Sequence, residues 1–598
     1  MHQEFLMGNE AIAMGAIAAG VNLVAGYPGT PSTEVLETVA KHRPQDTYVE
    51  WSINEKTAME VGAGAAYTGA RVMVTMKQVG LNVATDPLMS LEYIGVKGGM
   101  VVLVADDPGP ISSQTEQDTR HFSRFSKLPC FDPSTVQEAY EMVQDAFEYS
   151  EKYRTPVFLR STTRVSHGYA SINVKDEGEY KHNKPEGFIK DTKRWVIFPK
   201  LSYQSHINIE ARNVELSKDF SSYPKNLLLN VEGSEFPKKG IATGGFNYTY
   251  VSEALKSVGD VRLLKVSTPH PFPEELAVKF LTGLDEVVCV EELDPVIERE
   301  LIYIAGKYQL PVKVYGKLTL DVKNSGENTL DSVMGNLTKF LGVKPPENAA
   351  LTEADMAEMP ELPVRPPVLC AGCPHRASFY AVKQAMKGKK TLFAGDIGCY
   401  TMGNAMPLDM VDTCLCMGAG LGIAQGVDHI EPDTSCFAFV GDSTFFAAAI
   451  PGVINAVYNQ ADLTLIVLDN STTAMTGHQP HPGTGQTMMG DVVNKVSIEK
   501  ILKGIGLESV ETVKAATALP GVKAIIFKSP CIAIVKSGKC LSVDHEKCIN
   551  CRKCIRELGC PALIIRDDKV VIDDSLCTGC GLCSQICPTG AIGGDRHE

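Results

Sequence analysis

The sequence predicts a multidomain α/β chain that ends in a small cysteine-rich module. Two observations carry this. Short apolar runs alternate with helix-like stretches through most of the 598 residues, and nine of the 18 cysteines fall between Cys540 and Cys587. Apolar residues make up 44% and charged residues 21%, an ordinary globular balance with material for several cores.

The alternation begins with Val21–Ala25, Arg71–Met76 and Met100–Ala105, with helix-like stretches near 55–69 and 134–151. Such a pattern predicts a parallel sheet covered by helices over 1–190. Residues 191–235 are polar and weakly periodic and read as a linker or surface excursion, a character that begins near 170. Alternation resumes over 236–345 with GIATGG, VRLLKV, EVVCVEEL and LPVKVYG. The acidic, Pro-rich stretch 346–367 reads as a second linker. A third α/β unit spans 368–537, with strand candidates CFAFVG, LTLIVLDN and CIAIVK, and the cysteine-rich module spans 538–598.

The net charge of −14 argues against nucleic-acid binding, which needs clustered Lys and Arg. No apolar run is long enough to cross a bilayer. Glu4 and Glu10 stand where a signal peptide carries positive charge, so a cytoplasmic protein is expected.

Cys548, Cys551 and Cys554 form C-x2-C-x2-C, with Cys560-Pro561 following. Cys577, Cys580 and Cys583 repeat the spacing before Cys587-Pro588. The halves VDHEKCINC and IDDSLCTGC are an internal repeat. Three thiolates on a tight turn reach three irons of one cubane, and the distant Cys-Pro completes the other cluster. One [4Fe–4S] cluster is therefore expected on Cys548, Cys551, Cys554 and Cys587, and a second on Cys577, Cys580, Cys583 and Cys560. Paired zinc sites are the competing reading, disfavoured by the two Cys-Pro endings. The module resembles a bacterial two-cluster ferredoxin, with a longer spacing between Cys554 and Cys560 than between Cys583 and Cys587.

In VGDSTFFAAAIPGVINAVYNQADLTLIVLDNSTT, one apolar strand ends at Gly441-Asp442 and the next at Asp469-Asn470. Mg²⁺ takes carboxylate, carbonyl and diphosphate oxygens, and ligands bind at the carboxyl ends of parallel strands. The segment resembles the thiamine diphosphate motif. Asp442, Asn470 and the Thr472 carbonyl match its metal ligands, Gly441 allows close approach of phosphates, and Ser443 replaces a usual Gly. EWSINEKTAMEVGAGAAYTGARVMVTMKQVG resembles the pyrimidine-binding segment of the same superfamily, in which a glutamate activates the cofactor. Glu55 fits that role, with Glu60 as the alternative. AGYPGTPST resembles the substrate loop of pyruvate:ferredoxin oxidoreductases, where Thr30 would meet the substrate. Arg120 is a candidate for gripping a substrate carboxylate.

Together with LCAGCPHR (369–376) and LDNSTTAMTGHQPHPG (468–483), these motifs make the chain resemble the alpha-subunit family of indolepyruvate:ferredoxin oxidoreductases, over nearly its whole length. The resemblance implies two thiamine diphosphate-binding α/β domains, a smaller transketolase-C-terminal-like α/β domain and the ferredoxin domain. It implies oxidative decarboxylation of aryl 2-oxo acids to acyl-CoA and CO₂, with CoA as co-substrate and ferredoxin as electron acceptor. It further implies a smaller beta subunit and a dimer of alpha–beta units. The alternatives are a non-oxidative decarboxylase, an oxidoreductase for other 2-oxo acids, and an electron-carrier subunit on a thiamine-type scaffold. Related oxidoreductases hold a cluster near the thiamine. Cys370, Cys373, Cys399 and Cys531 would hold such a third cluster here or are ordinary free cysteines.

Overall fold

The computed structural model describes residues 1–229, 236–344, 362–363, 365–507 and 512–594. The chain forms two compact units, 1–361 and 362–598. Much of the expected linker at 346–367 lies outside the described residues.

The first unit opens with a six-stranded, all-parallel sheet. Its strands are β2 (Leu23–Gly26), β3 (Tyr48–Trp51), β4 (Val72–Lys77), β5 (Met100–Asp106), β6 (Cys130–Phe131) and β7 (Val157–Thr162), in the order β3-β2-β4-β5-β7-β6. All seven residues of β5 are buried, as expected of a strand covered on both faces. The helices Glu55–Tyr67 and Gln78–Ile94 supply Ala58, Met59, Leu81 and Leu88 to one core layer. A ribbon of β1 (His2–Met7) and β8 (Tyr169–Val174) flanks the sheet.

The second sheet of this unit is built from β9 (Leu227–Leu229), β10 (Lys239–Gly244), β11 (Arg262–Val266), β12 (Glu286–Val290) and β13 (Lys313–Tyr315). Only β9 runs antiparallel, against β11. Residues 191–235 are more than a linker. They contain the 23-residue helix Pro199–Ser221 as well as β9. That helix buries only Ile209, Leu216 and Phe220, which leaves almost no apolar stripe to read in the sequence.

The second unit centres on a four-stranded parallel sheet of β14 (Thr391–Ala394), β15 (Ser435–Gly441), β16 (Leu463–Asp469) and β17 (Lys523–Lys528), in that order. Core layers lie on both faces, with Val440, Phe445 and Val467 in one and Phe379, Phe439 and Ile466 in the other. The cysteine-rich module follows as the short pairs β18 (Ser542–Val543) with β21 (Ile592–Gly593) and β19 (Leu563–Arg566) with β20 (Lys569–Ile572). Two short helices, Lys553–Leu558 and Leu582–Ile586, complete it. Among the described residues no helix is long and apolar enough to cross a membrane.

Candidate active site

In the first unit, Asn54 caps the helix Glu55–Tyr67 by accepting a hydrogen bond from the Thr57 N–H at 2.9 Å, which fixes Glu55 as its first residue. The Glu55 side chain is buried, and burial raises its pKa to about 7, with Lys77 opposing the rise. Gly80 makes the room. A Cβ at that position would stand 2.5 Å from Glu55 Oε1 and 2.8 Å from its Cγ. The carboxyl thus exchanges a proton near neutrality with the Gly80 backbone close against it. Glu60 is different: it is exposed and ion-paired with Lys56 one helical turn away, a solvated helix carboxylate.

The loop after β2 brings Thr30 toward the same strand ends. Gly29 packs on the Lys77 side chain, and Ser112 Oγ donates to the Thr30 carbonyl at 3.4 Å. Arg120 does not join this group. Its guanidinium is buried and forks between Asp118 (Nη2 to Oδ2, 2.6 Å) and Glu291 (Nη1 to Oε2, 2.8 Å). It also donates to the Glu292 and Asp294 carbonyls at 2.7 and 2.9 Å. The buried guanidinium is thus held by Asp118, two residues away, and by Glu291 and the carbonyls that follow β12, rather than standing free for a substrate carboxylate.

In the second unit, Asp442, Asn470 and Thr472 meet where β15 and β16 end, and all three are buried. The Asn470 and Ser471 N–H groups donate to Asp442 Oδ2 at 3.1 and 2.7 Å, and the Ser443 N–H donates to Oδ1 at 2.9 Å. The Thr472 N–H donates to Asn470 Oδ1 at 3.2 Å. The Ser443 hydroxyl accepts a hydrogen bond from Thr473 at 3.1 Å, so it is accommodated where a glycine was expected. Gly441 faces Tyr400, whose ring would lie 2.6 Å from an added Cβ. A buried carboxylate, an amide oxygen and a backbone carbonyl at one strand-end crevice fit a magnesium–diphosphate group.

Four further residues line this crevice without having been singled out from sequence. His481 Nε2 stands 3.2 Å from Asp442 Oδ2. His375 Nε2 stands 3.3 Å from Asn470 Nδ2, and burial lowers the pKa of that imidazole to about 4. Tyr400 donates to Asp396 Oδ2 at 2.9 Å, and the Gly418 N–H donates to Asp396 Oδ1 at 2.8 Å. The histidines lie in CPHR and GHQPHPG, which were prominent as segments, yet nothing in the sequence alone joined His375 to Asn470, 95 residues later, or His481 to Asp442.

The terminal cysteines fall into two groups of four. One small void is lined by Cys560, Cys577, Cys580 and Cys583, and another by Cys548, Cys551, Cys554 and Cys587. Each lining includes four cysteines, the number of thiolates that one cubane takes. Cys370, Cys373, Cys399 and Cys531 also gather. Cys370 and Cys399 both act on the Cys373 thiol, and Cys531 and Cys370 on that of Cys399. Burial raises the Cys373 pKa to about 12 and that of Cys399 to about 11. The Cys531 N–H donates to the Asn470 carbonyl at 2.9 Å, which sets this group beside the strand-end crevice. Cys130, Cys289 and Cys436 are buried, while Cys414, Cys416 and Cys540 are exposed.

Comparison with known proteins agrees with this layout. Residues 14–213 match the pyruvate flavodoxin/ferredoxin oxidoreductase, thiamine diP-binding family. Residues 396–535 match the thiamine pyrophosphate enzyme, C-terminal TPP binding domain, and 570–593 the 4Fe-4S binding domain. Among solved structures, the 2-oxoglutarate:ferredoxin oxidoreductase from Magnetococcus marinus is similar over 56% of this chain and 65% of its own, at 18% identity and a TM-score of 0.45. The indolepyruvate oxidoreductase subunit IorA of Methanothermobacter thermautotrophicus is 43% identical over 98% of this chain and 97% of its own. That of Archaeoglobus fulgidus is 40% identical over the same shares. With likeness of this degree along both whole lengths, the chain belongs to the indolepyruvate oxidoreductase subunit IorA family.

Proposed function

We propose that this chain is the thiamine- and cluster-bearing subunit of an enzyme that oxidatively decarboxylates aryl 2-oxo acids of the indolepyruvate type. The products are CO₂ and an acyl-CoA, and ferredoxin takes the electrons. The observation that carries this reading is the pairing, in one chain, of a strand-end crevice suited to a magnesium–diphosphate group with two four-cysteine voids. Decarboxylation coupled to CoA acylation releases two electrons, and each cubane accepts one. A non-oxidative decarboxylase would need neither void.

Each group has a part. Thiamine diphosphate, when bound, supplies the electron sink for decarboxylation. Glu55 holds and moves a proton at its carboxyl, with a pKa of about 7 that keeps both forms accessible. Asp442, Asn470 and the Thr472 carbonyl hold Mg²⁺, and Gly441 and Ser443 complete the diphosphate cradle. Thr30 meets the substrate. Cys370, Cys373, Cys399 and Cys531 hold a third cluster beside the crevice, and the eight terminal cysteines carry electrons onward. A smaller beta subunit completes the enzyme as a dimer of alpha–beta units. Cysteines kept unpaired as ligands fit a reducing cytoplasm.

The test is an anaerobic assay of the chain with its partner subunit, a panel of 2-oxo acids, CoA and ferredoxin, alongside iron and sulfide analysis. About eight irons per chain are expected from the terminal cysteines, and about twelve with the third group. Stoichiometric zinc without sulfide would overturn the cluster assignment. Steady release of free aldehyde, as fast without CoA or acceptor as with them, would overturn the oxidoreductase reading.

A further inference from the structure

Arg376 lies at the start of the helix Pro374–Ala385 and is 4% exposed. Its Nη1 donates to the carbonyls of Leu558 and Gly559 at 2.6 and 3.0 Å, and its Nη2 to those of Leu369 and Cys370 at 2.6 and 3.4 Å. One side chain therefore ties the chain entering Cys560 to the Cys370–Cys373 turn. The remaining N–H, on Nε, is buried with no acceptor, and among the described residues no carboxylate pairs with the guanidinium. The groups that act on its charge are Cys560, Cys373, Cys580 and Cys370. A buried guanidinium without a counter-ion is costly, and so is an N–H aimed at nothing. Four-thiolate cubanes on these cysteines would supply the missing negative charge and sulfur acceptors for N–H groups.

The two voids are also unequal. That of Cys560, Cys577, Cys580 and Cys583 is walled by Ala371 and Gly372, and a Cβ on Gly372 would meet Thr578 Oγ1 at 1.9 Å. The other void is lined by residues of the terminal module alone.

We propose that Arg376 is a positioning residue for electron transfer: it seats the terminal module on the Cys370–Cys373 turn and places a fixed positive charge beside the Cys560/Cys577/Cys580/Cys583 cluster. That cluster is then the entry point for electrons and the more easily reduced of the two terminal clusters. The proposal rests on the reading that these cysteines hold [4Fe–4S] clusters. The step is the reduction of a [4Fe–4S]²⁺ cluster to [4Fe–4S]⁺ by one electron from 2-oxo acid oxidation, with no proton or bond transferred. The added electron raises the negative charge next to Arg376, which stabilises the reduced form.

The experiment is a redox titration, followed by electron paramagnetic resonance, of anaerobically purified wild type, Arg376→Gln and Arg376→Lys, each with iron and sulfide counted. Signals are assigned by their loss in Cys577→Ala or Cys548→Ala. In wild type the Cys577-dependent signal should appear first as the potential falls. In Arg376→Gln its midpoint should drop by about 59 mV or more, a tenfold change in the one-electron equilibrium. The Cys548-dependent midpoint should move less, and Arg376→Lys should return most of the shift. An unshifted Cys577-dependent midpoint in iron-replete Arg376→Gln overturns the proposal. So does a wild type in which the Cys548-dependent cluster is reduced first, a result that stands even if the Gln variant fails to hold iron. Wild-type protein with zinc and no sulfide would instead fail the cluster reading beneath it.

Discussion

Replacing Glu55 by Gln removes a proton-binding group while changing little in shape. The buried carboxyl has its pKa moved from 4.5 to about 7, mainly by loss of hydration. At 1.36 kcal/mol for each tenfold change in proton affinity, the ionised form costs the fold about 3 kcal/mol. The sign follows from the direction. Below about pH 4.5 the group is protonated folded or unfolded and costs nothing. The cost grows as pH rises and is complete above about pH 7. Glu55→Gln is neutral throughout. In calorimetry of the cofactor-free protein it should therefore melt a few °C above wild type at pH 8, with little gain at pH 5. Turnover should fall by roughly 10²–10⁴-fold, the usual loss on removing a general acid–base group, while thiamine diphosphate still binds. Equal melting gains at both pH values would show that the carboxyl titrates normally. Normal turnover by Glu55→Gln, with Glu60→Gln impaired, would move the role to Glu60.

Gly80→Ala places a methyl 2.5 Å from Glu55 Oε1, so the carboxyl must shift; kcat should drop roughly 100-fold in protein that still folds, as steady-state kinetics will show. Asp442→Ala removes a metal ligand from the crevice, and the thiamine diphosphate needed for half-maximal activity should rise roughly 10–100-fold, with a matching rise in the Mg²⁺ requirement. Cys577→Ala should cost about four irons and abolish ferredoxin reduction, with thiamine diphosphate binding retained in a fluorescence titration. Arg120→Ala leaves Asp118 and Glu291 buried without their counter-ion and should destabilise the first unit by about 3–5 kcal/mol in denaturant unfolding.

What was legible in the sequence had local causes. The cluster cysteines declare themselves because three ligands sit on one turn and the fourth beside a proline. Asp442 and Asn470 declare themselves because each ends an apolar strand. Glu55 stood out from Glu60 through the pyrimidine-binding-like segment around it, and the structure adds that Gly80 of that segment packs against the Glu55 carboxyl. The rest depends on distant partners. Arg120 reads as a free anion-binding residue until Glu291, 171 residues later, is seen beside it. His375 and His481 acquire their setting from Asn470 and Asp442. The helix Pro199–Ser221 was lost in a supposed linker because three buried residues in 23 leave no period to find.

Arg120 matters for how any saturation mutagenesis of this chain is scored. A screen that reads only growth or product would place it among the most intolerant positions, indistinguishable from Glu55. Yet the two failures differ in kind. At position 55 the polypeptide accumulates and is inert; at position 120 it disappears from the soluble pool. Abundance has to be measured beside turnover, residue by residue, before intolerance is translated into chemistry. For a chain with this many charges sealed between sheets, the abundance axis will claim several positions that a catalytic map would otherwise absorb.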